Sequence, residues 1–132
     1  MDLILKDEVF KLIGAAFEVY NALGPGFLEP VYQEALALEL TDRAIPFVEQ
    51  APLAIHYKQH CLKKFYVADF LVFGAIVVEI KAMKALGDEE RCQLLNYLAA
   101  SSSPLGLLIN FGHKEKLEWQ RYAGKQPSAL GL

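Results

Sequence analysis

Val9, Ile13, Ala16, Phe17, Tyr20 and Leu23 recur at three- and four-residue spacing. That pattern predicts an amphipathic helix over residues 7–23. Gly24-Pro25-Gly26 ends it, with Gly24 placed as a C-cap and Pro25 barring continuation. A second helical pattern over 28–41 puts Val31, Ala35 and Leu38, with Leu28, on its inner face. Ile45-Pro46 begins an extended region, and strands are expected over 48–58, 62–73 and 76–82, the first two joined around Gln59-His60. Asp88 reads as the N-cap of a third helix over 88–101. Ser101-Ser102-Ser103-Pro104 is a linker, and residues 105–111 form a continuous apolar run of the kind found in strands buried on both faces. A short edge strand is expected over 116–123, with the last residues loosely held. The unit 76–110 reads as a right-handed strand–helix–strand crossover with parallel strands. The order is α-α-β-β-β-α-β, an α/β fold with a mixed sheet and helices on its faces.

Charge interrupts this pattern at one place. Residues 70–78 carry none, yet Asp69 precedes them and Glu79-Ile80-Lys81 follows. A buried carboxylate costs several kcal/mol unless a cation or strong donors compensate it. Side chains at i and i+2 of a strand share a face, so Glu79 and Lys81 point one way and Ile80 the other. Glu-X-Lys is also the pattern of a surface ion pair worth about 0–1 kcal/mol. The hairpin decides between the two readings. Gly74 is the turn signal, and a loop of Phe73-Gly74-Ala75 places Asp69 directly opposite Glu79. A two-residue loop would set Asp69 against Ile80, on the wrong face.

Two acids and a lysine converging at a sheet edge are suited to a divalent cation beside a phosphate. Asp69 and Glu79 offer the hard oxygens that Mg²⁺ or Mn²⁺ prefers, and the Ile80 carbonyl between the side chains is a neutral third ligand. The compact ammonium of Lys81 suits stabilisation of negative charge on a phosphate oxygen. Gln93 and Tyr97 lie one helical turn apart, on the helix delivered from the Glu79–Lys81 strand. Gln93 is therefore a candidate to orient water or phosphate, and Tyr97 to touch a nucleic-acid backbone. Glu29, at the start of the second helix, is either a further ligand or a carboxylate favoured by the helix dipole. Lys58, Lys63, Lys64 and Lys84 are candidates for a basic rim, with a solvated face as the plainer reading. His56, His60 and His113 match no ligand spacing, and no Gly-rich phosphate loop or Ser-His-Asp set is present.

Length and composition bound these readings. A chain of 132 residues is expected to form one domain, residues 1–132, burying about two thirds of its unfolded surface. Its net charge of −3 argues mildly against a protein that coats nucleic acid, but says little about one cleft. No apolar run reaches the ~18 residues of a membrane helix, no signal peptide opens the chain, and Cys61 and Cys92 fit no zinc spacing, so a cytoplasmic setting is expected. The hydrophobic fraction of 54%, with Phe10, Phe17, Tyr20, Phe27, Trp119 and Tyr122 outside the strand core, leads us to expect a two-fold homodimer.

The chain strongly resembles the PD-(D/E)XK nuclease superfamily, and within it the small GxxExxY proteins. The name pattern stands as Gly26-Phe-Leu-Glu29-Pro-Val-Tyr32. The likeness runs on through Ala68-Asp-Phe-Leu-Val72, Val78-Glu-Ile-Lys-Ala82, Gln93-Leu-Leu-Asn-Tyr-Leu98 and Gly106-Leu-Leu-Ile-Asn-Phe-Gly112. Ala68 stands where a proline is usual, and Tyr20 where a histidine is expected in the subgroup. The resemblance implies a restriction-endonuclease-like fold and a metal-dependent nuclease acting on DNA, with RNA as the alternative. It maps the metal-binding acids onto Asp69 and Glu79 and the catalytic lysine onto Lys81. A Gln-x-x-x-Tyr element maps onto Gln93 and Tyr97, and a helical glutamate onto Glu29. The competing reading is a catalytically silent nuclease-fold module for binding or assembly, in which Glu79 and Lys81 neutralise each other.

Overall fold

The computed structural model describes residues 3–124. Two helices come first, α1 (Lys6–Leu23) and α2 (Glu29–Asp42). The strands β1 (Phe47–Tyr57), β2 (His60–Val72) and β3 (Ile76–Lys81) follow, then α3 (Asp88–Ser101), β4 (Leu105–Asn110) and β5 (Glu118–Ala123). The strands form one mixed sheet in the order β1-β2-β3-β4-β5, in which β3 and β4 are parallel and the other neighbours antiparallel. The parallel pair needs a crossover, and α3 supplies it. The expected α/β architecture with helices on both faces is what the chain adopts, with the edge strand β5 added at the end. The terminal residues expected to be loose lie outside the described residues.

Alternation along β3 sorts the two layers. Ile76, Val78 and Ile80 meet α1 and α2, in a core that includes Leu12, Tyr32, Leu36 and Leu40. Val77 meets Leu94 and Leu98 of α3, together with Leu53, Ala68 and Leu108. By the same alternation Glu79 and Lys81 belong to the α3 side. Every residue of β3 except Lys81 is buried, which explains the unbroken apolar run in the sequence.

Two expectations about the helices need correction. The inner face of α2 is Tyr32, Leu36 and Leu40, not Val31, Ala35 and Leu38. Leu28, Val31 and Leu38 are exposed, and only Ala35 packs at the flank of the core. The helix is rotated by what anchors Tyr32: its ring stacks on Phe111 at 4.7 Å, and its hydroxyl donates to the Gly24 carbonyl. Asp88 is not the N-cap of α3. Gly87 is, in extended conformation, and its N–H donates to Glu90 Oε1 at 2.8 Å. Asp88 instead sits in the first turn and pairs with Arg91 at 3.2 Å.

The loop between β3 and α3 is fixed by a buried side chain. Asn110, fully buried at the end of β4, accepts from the Met83 and Gly112 N–H groups and donates to the Met83 carbonyl and to Glu118 Oε1. All its polar capacity near the backbone is used, which is what a buried amide requires. The closeness of the two loops leaves no room at Gly112, where a Cβ would fall 2.4 Å from the Met83 nitrogen. At Gly14, inside α1, the nearest atom to an added Cβ is a flexible Arg43 nitrogen at 3.3 Å. Urea unfolding is therefore expected to show opposite signs. Gly112→Ala should lose about 2–3 kcal/mol through backbone displacement, and Gly14→Ala should gain roughly 0.5–1 kcal/mol through helix propensity. A neutral Gly112→Ala would contradict this packing.

Candidate active site

The β2–β3 hairpin pairs Phe70 with Val78, Leu71 with Val77 and Val72 with Ile76. The loop is thus the three residues Phe73-Gly74-Ala75. Phe73 and Gly74 both have positive φ, 56° and 66°, and the Ala75 N–H donates to the Val72 carbonyl at 3.1 Å. One further step in this register sets Asp69 opposite Glu79, but the backbone ladder stops there. Side chains replace it. The Asp69 N–H donates to Glu79 Oε2 at 2.8 Å, and the Ile80 N–H donates to Asp69 Oδ2 at 2.7 Å. Each carboxylate closes on the other strand's backbone.

Asp69 is also where β2 changes faces. Tyr66 and Ala68 lie in the α3 layer, whereas Phe70 and Val72 lie in the α1–α2 layer. Strict alternation would keep all four on one face. On β1 the ladder runs from Glu49–Phe70 to Ala51–Ala68 but skips Gln50 and Asp69, and Gln50 is left-handed at φ 48°. The Asp69 carbonyl, released from the ladder, accepts from Gln33 Nε2 at 3.2 Å. Irregularities of this kind re-aim a side chain beside a functional centre.

Burial sets the electrostatics. Glu79 is only 5% exposed, and its carboxyl is pushed up to about 8, first by desolvation and then by the charge of Asp69. A hydrogen bond between the two carboxyls acts in the same direction, while the Asp69 N–H and the Lys81 charge oppose it. Lys81 Nζ donates to Gln93 Oε1 at 3.0 Å, and Gln93 Nε2 reaches the Tyr97 hydroxyl at 3.5 Å, the outer limit of a hydrogen bond. The Tyr97 phenol is raised, chiefly by burial and then by the charges of Glu79 and Asp69. Its ring stacks on Tyr66 at 4.6 Å.

Asp69 and Glu79 form one hydrogen-bonded pair, and Lys81, Gln93 and Tyr97 a second run. The Lys81 charge acts on Glu79 between them, so that the five make one polar line on the central strand β3 and its α3 side. Ile80 contributes its N–H to that line, and its side chain lies in the opposite core. Glu29 stands exposed at the first position of α2. No group of three His, Cys, Asp or Glu side chains suited to a metal forms among the described residues, so Glu29 does not complete a three-acid cluster. Lys84 is exposed in the β3–α3 loop, with no hydrogen bond to the line. Gln33, Tyr66 and Asn110 were not among the expected site residues. Gln33 had a signal, since it lies one helical turn after Glu29. Asn110 had another, as the polar residue of an apolar strand. Tyr66 had none, because its partner Tyr97 is distant in sequence.

The donor set suits a hard divalent cation. Each carboxylate spends one oxygen on a backbone N–H, and the pair stands close enough to share a proton. A cation would neutralise the same crowded charge.

The raised Glu79 carboxyl carries a stability signature with a definite sign. In the folded chain it holds its proton up to about 8, and in the unfolded chain it releases it near the ordinary 4.5. The folded state binds the extra proton between those values, so stability is complete below 4.5 and is lost as pH rises through 8. The loss is on the order of a few kcal/mol. In the presence of chelator, the wild-type Tm is expected to fall between about pH 5 and pH 8, and Glu79→Gln to flatten that slope. An equal slope in both proteins would contradict the assignment.

No curated protein sequence matches the chain. Among solved structures it is similar to the crystal structure of SSO0001, with a TM-score of 0.56 at 17% identity. The match covers 74% of this chain and 50% of that one, so the chain spans about half the length of that protein, and the likeness concerns the fold alone. The profile of the PD-(D/E)XK nuclease superfamily matches residues 6–122, from α1 into β5 and through every residue of the polar line. The chain belongs to the PD-(D/E)XK nuclease superfamily.

Proposed function

We propose that this protein is a Mg²⁺- or Mn²⁺-dependent nuclease of the GxxExxY group, built as one domain over residues 1–132, that hydrolyses phosphodiester bonds of DNA, with RNA as the alternative substrate. The observation that carries the reading is the Asp69–Glu79 clasp with Lys81 on the same face. Asp69, Glu79 and the Ile80 carbonyl would hold the cation, which when bound supplies positive charge against the phosphate and acidity to water. Lys81 offsets the negative charge that develops on the phosphate oxygens. Gln93 holds the Lys81 ammonium by its carbonyl oxygen, which restricts a flexible side chain to the cleft. Tyr97, its phenol raised, stays protonated at neutral pH and donates to a backbone phosphate. Glu29 orders water from the α2 side, and Lys84 adds positive charge at the rim. No helix among the described residues is long and apolar enough to cross a membrane, and a cytoplasmic setting is part of this reading.

Incubation with Mn²⁺ and single-stranded, duplex and branched DNA tests the reading. Cleavage is expected to fall at least roughly 10²–10³-fold in Asp69→Ala, Glu79→Ala and Lys81→Ala, and roughly 10- to 100-fold in Gln93→Ala. Activity that survives the two carboxylate substitutions would assign cleavage elsewhere. Absence of any cleavage by the wild type would favour the silent binding module.

The same reading includes a two-fold homodimer. Phe10 is 80% exposed and lines, with Ile13, Phe17 and Trp119, an apolar hollow of about 650 Å³ between α1 and β5. This hollow is built from the α1 side of the sheet, away from the carboxylates, so a second copy covering it leaves both clefts open. Light scattering is expected to give twice 14.7 kDa for the wild type and a monomer for Phe10→Glu. A wild-type monomer at micromolar concentration would contradict it.

A further inference from the structure

The strand that carries Asp69 does not end at the Asp69–Glu79 clasp. β3 pairs with β2 only over Phe70–Val72, while β1 and β2 pair onward from Pro52–Val67 to Tyr57–His60. Beyond its root the β1–β2 ribbon has no third strand, and a lone two-stranded ribbon is marginally stable in water. α3 packs on the ribbon at Leu53, Tyr66 and Ala68, and its C-terminal end borders a hollow that reaches Ala54 and His56. Most of the ribbon's side chains from Ala54 to Val67 are exposed, so its surface composition answers to something other than the core.

That composition is unlike the rest of the molecule. Residues 51–68 contain Lys58, Lys63 and Lys64 and no Asp or Glu. They carry +3, which leaves −6 on the remainder of a chain whose net charge is −3. The lysines alternate with exposed aromatic and aliphatic groups: Tyr57 is 59% exposed and Phe65 58%. Lys58 Nζ lies over the Tyr57 ring at 5.4 Å. Between the Ala54–Phe65 and His56–Cys61 pairs, β1 supplies only Ile55 while β2 supplies Leu62, Lys63 and Lys64. This bulge leaves both lysines unpaired in the ladder. At the root, Tyr66 stacks on Tyr97, whose hydroxyl Gln93 approaches while holding Lys81. Tyr66 thus ties the α3 side of the ribbon to the polar line, while Phe65, the next residue, is presented on the ribbon's other face.

We propose that the β1–β2 ribbon is the track for an unpaired nucleic-acid strand entering the Asp69–Glu79 cleft. Lys58, Lys63 and Lys64 meet its phosphates, and Tyr57 and Phe65 stack against its bases. This deepens the nuclease reading by naming the substrate as single-stranded. Exposed rings favour unpaired bases, since every base offers a face for stacking while a duplex hides its faces. Self-pairing of two ribbons is disfavoured, because it would bring six lysines together with no acid on either ribbon to oppose them.

Fluorescence polarisation in chelator, where cleavage is blocked, tests the track with a labelled 20-nucleotide DNA strand, the same RNA strand and the DNA duplex. The wild type is expected to bind a strand at least about tenfold more tightly than the duplex, given base stacking at Tyr57 and Phe65. Lys58→Ala/Lys63→Ala/Lys64→Ala should weaken strand binding and reduce the slope of log affinity against log salt by about 2. Tyr57→Ser/Phe65→Ser should weaken it by roughly fivefold or more at unchanged salt slope. These side chains are exposed, and an unaltered Tm of each variant confirms the fold. Equal or tighter duplex binding, an unchanged salt slope in the lysine variant, or binding to anionic vesicles without strand binding would overturn the proposal. Because binding is read without turnover, a protein that binds strands but never cleaves with Mn²⁺ would sink the nuclease reading and spare the track.

Discussion

The backbone ladder between β2 and β3 gives way, after Phe70–Val78, to two carboxylates that each accept an N–H from the opposite strand. A buried Glu79 would otherwise be an uncompensated charge, and an open backbone N–H at Asp69 or Ile80 an unpaired donor. The clasp answers both demands at once. It also imposes a cost, because it crowds two acids into a dry place and drives Glu79 toward its protonated form. A structure that needed only a sheet would continue the ladder. This one spends two acids to interrupt it.

Several neighbouring features hold the clasp in place. The three-residue loop at Phe73-Gly74-Ala75 sets the register that opposes Asp69 to Glu79. The left-handed Gln50 lets β1 follow β2 through its change of face. Gln33 takes up the Asp69 carbonyl that this change releases. On the far side, Asn110 and the tight approach at Gly112 anchor the segment leading from Lys81 to α3. α3 is thereby fixed where Gln93 meets Lys81.

Much of this was legible in the amino-acid sequence, because the decisive features are local. Elements with strong periodicity, such as α1, β3 and β4, are found where apolar spacing predicts them. The hairpin register followed from one glycine and from the requirement that two acids share a face. The inner face of α2 was not legible. Its apolar residues are spread around the helix, and the choice of Tyr32, Leu36 and Leu40 depends on a ring contact with Phe111, nearly eighty residues away. The change of face at Asp69 was equally hidden, since nothing in Ala68-Asp69-Phe70 marks a break in alternation. Tyr66 acts through Tyr97, a partner brought by tertiary packing, which periodicity alone does not identify.

The central claim is that the clasp is a cation site and not merely a polar staple. The two differ in whether the proton held by Glu79 gives way to a metal. Calorimetric titration of the chelator-treated protein with Mn²⁺ distinguishes them most directly. The account predicts saturable binding at one site per chain, with protons released on binding near neutral pH because Glu79 must ionise, and loss of that binding in Asp69→Ala. A wild-type protein that takes up no Mn²⁺, or an Asp69→Ala protein that takes it up unchanged, would contradict it.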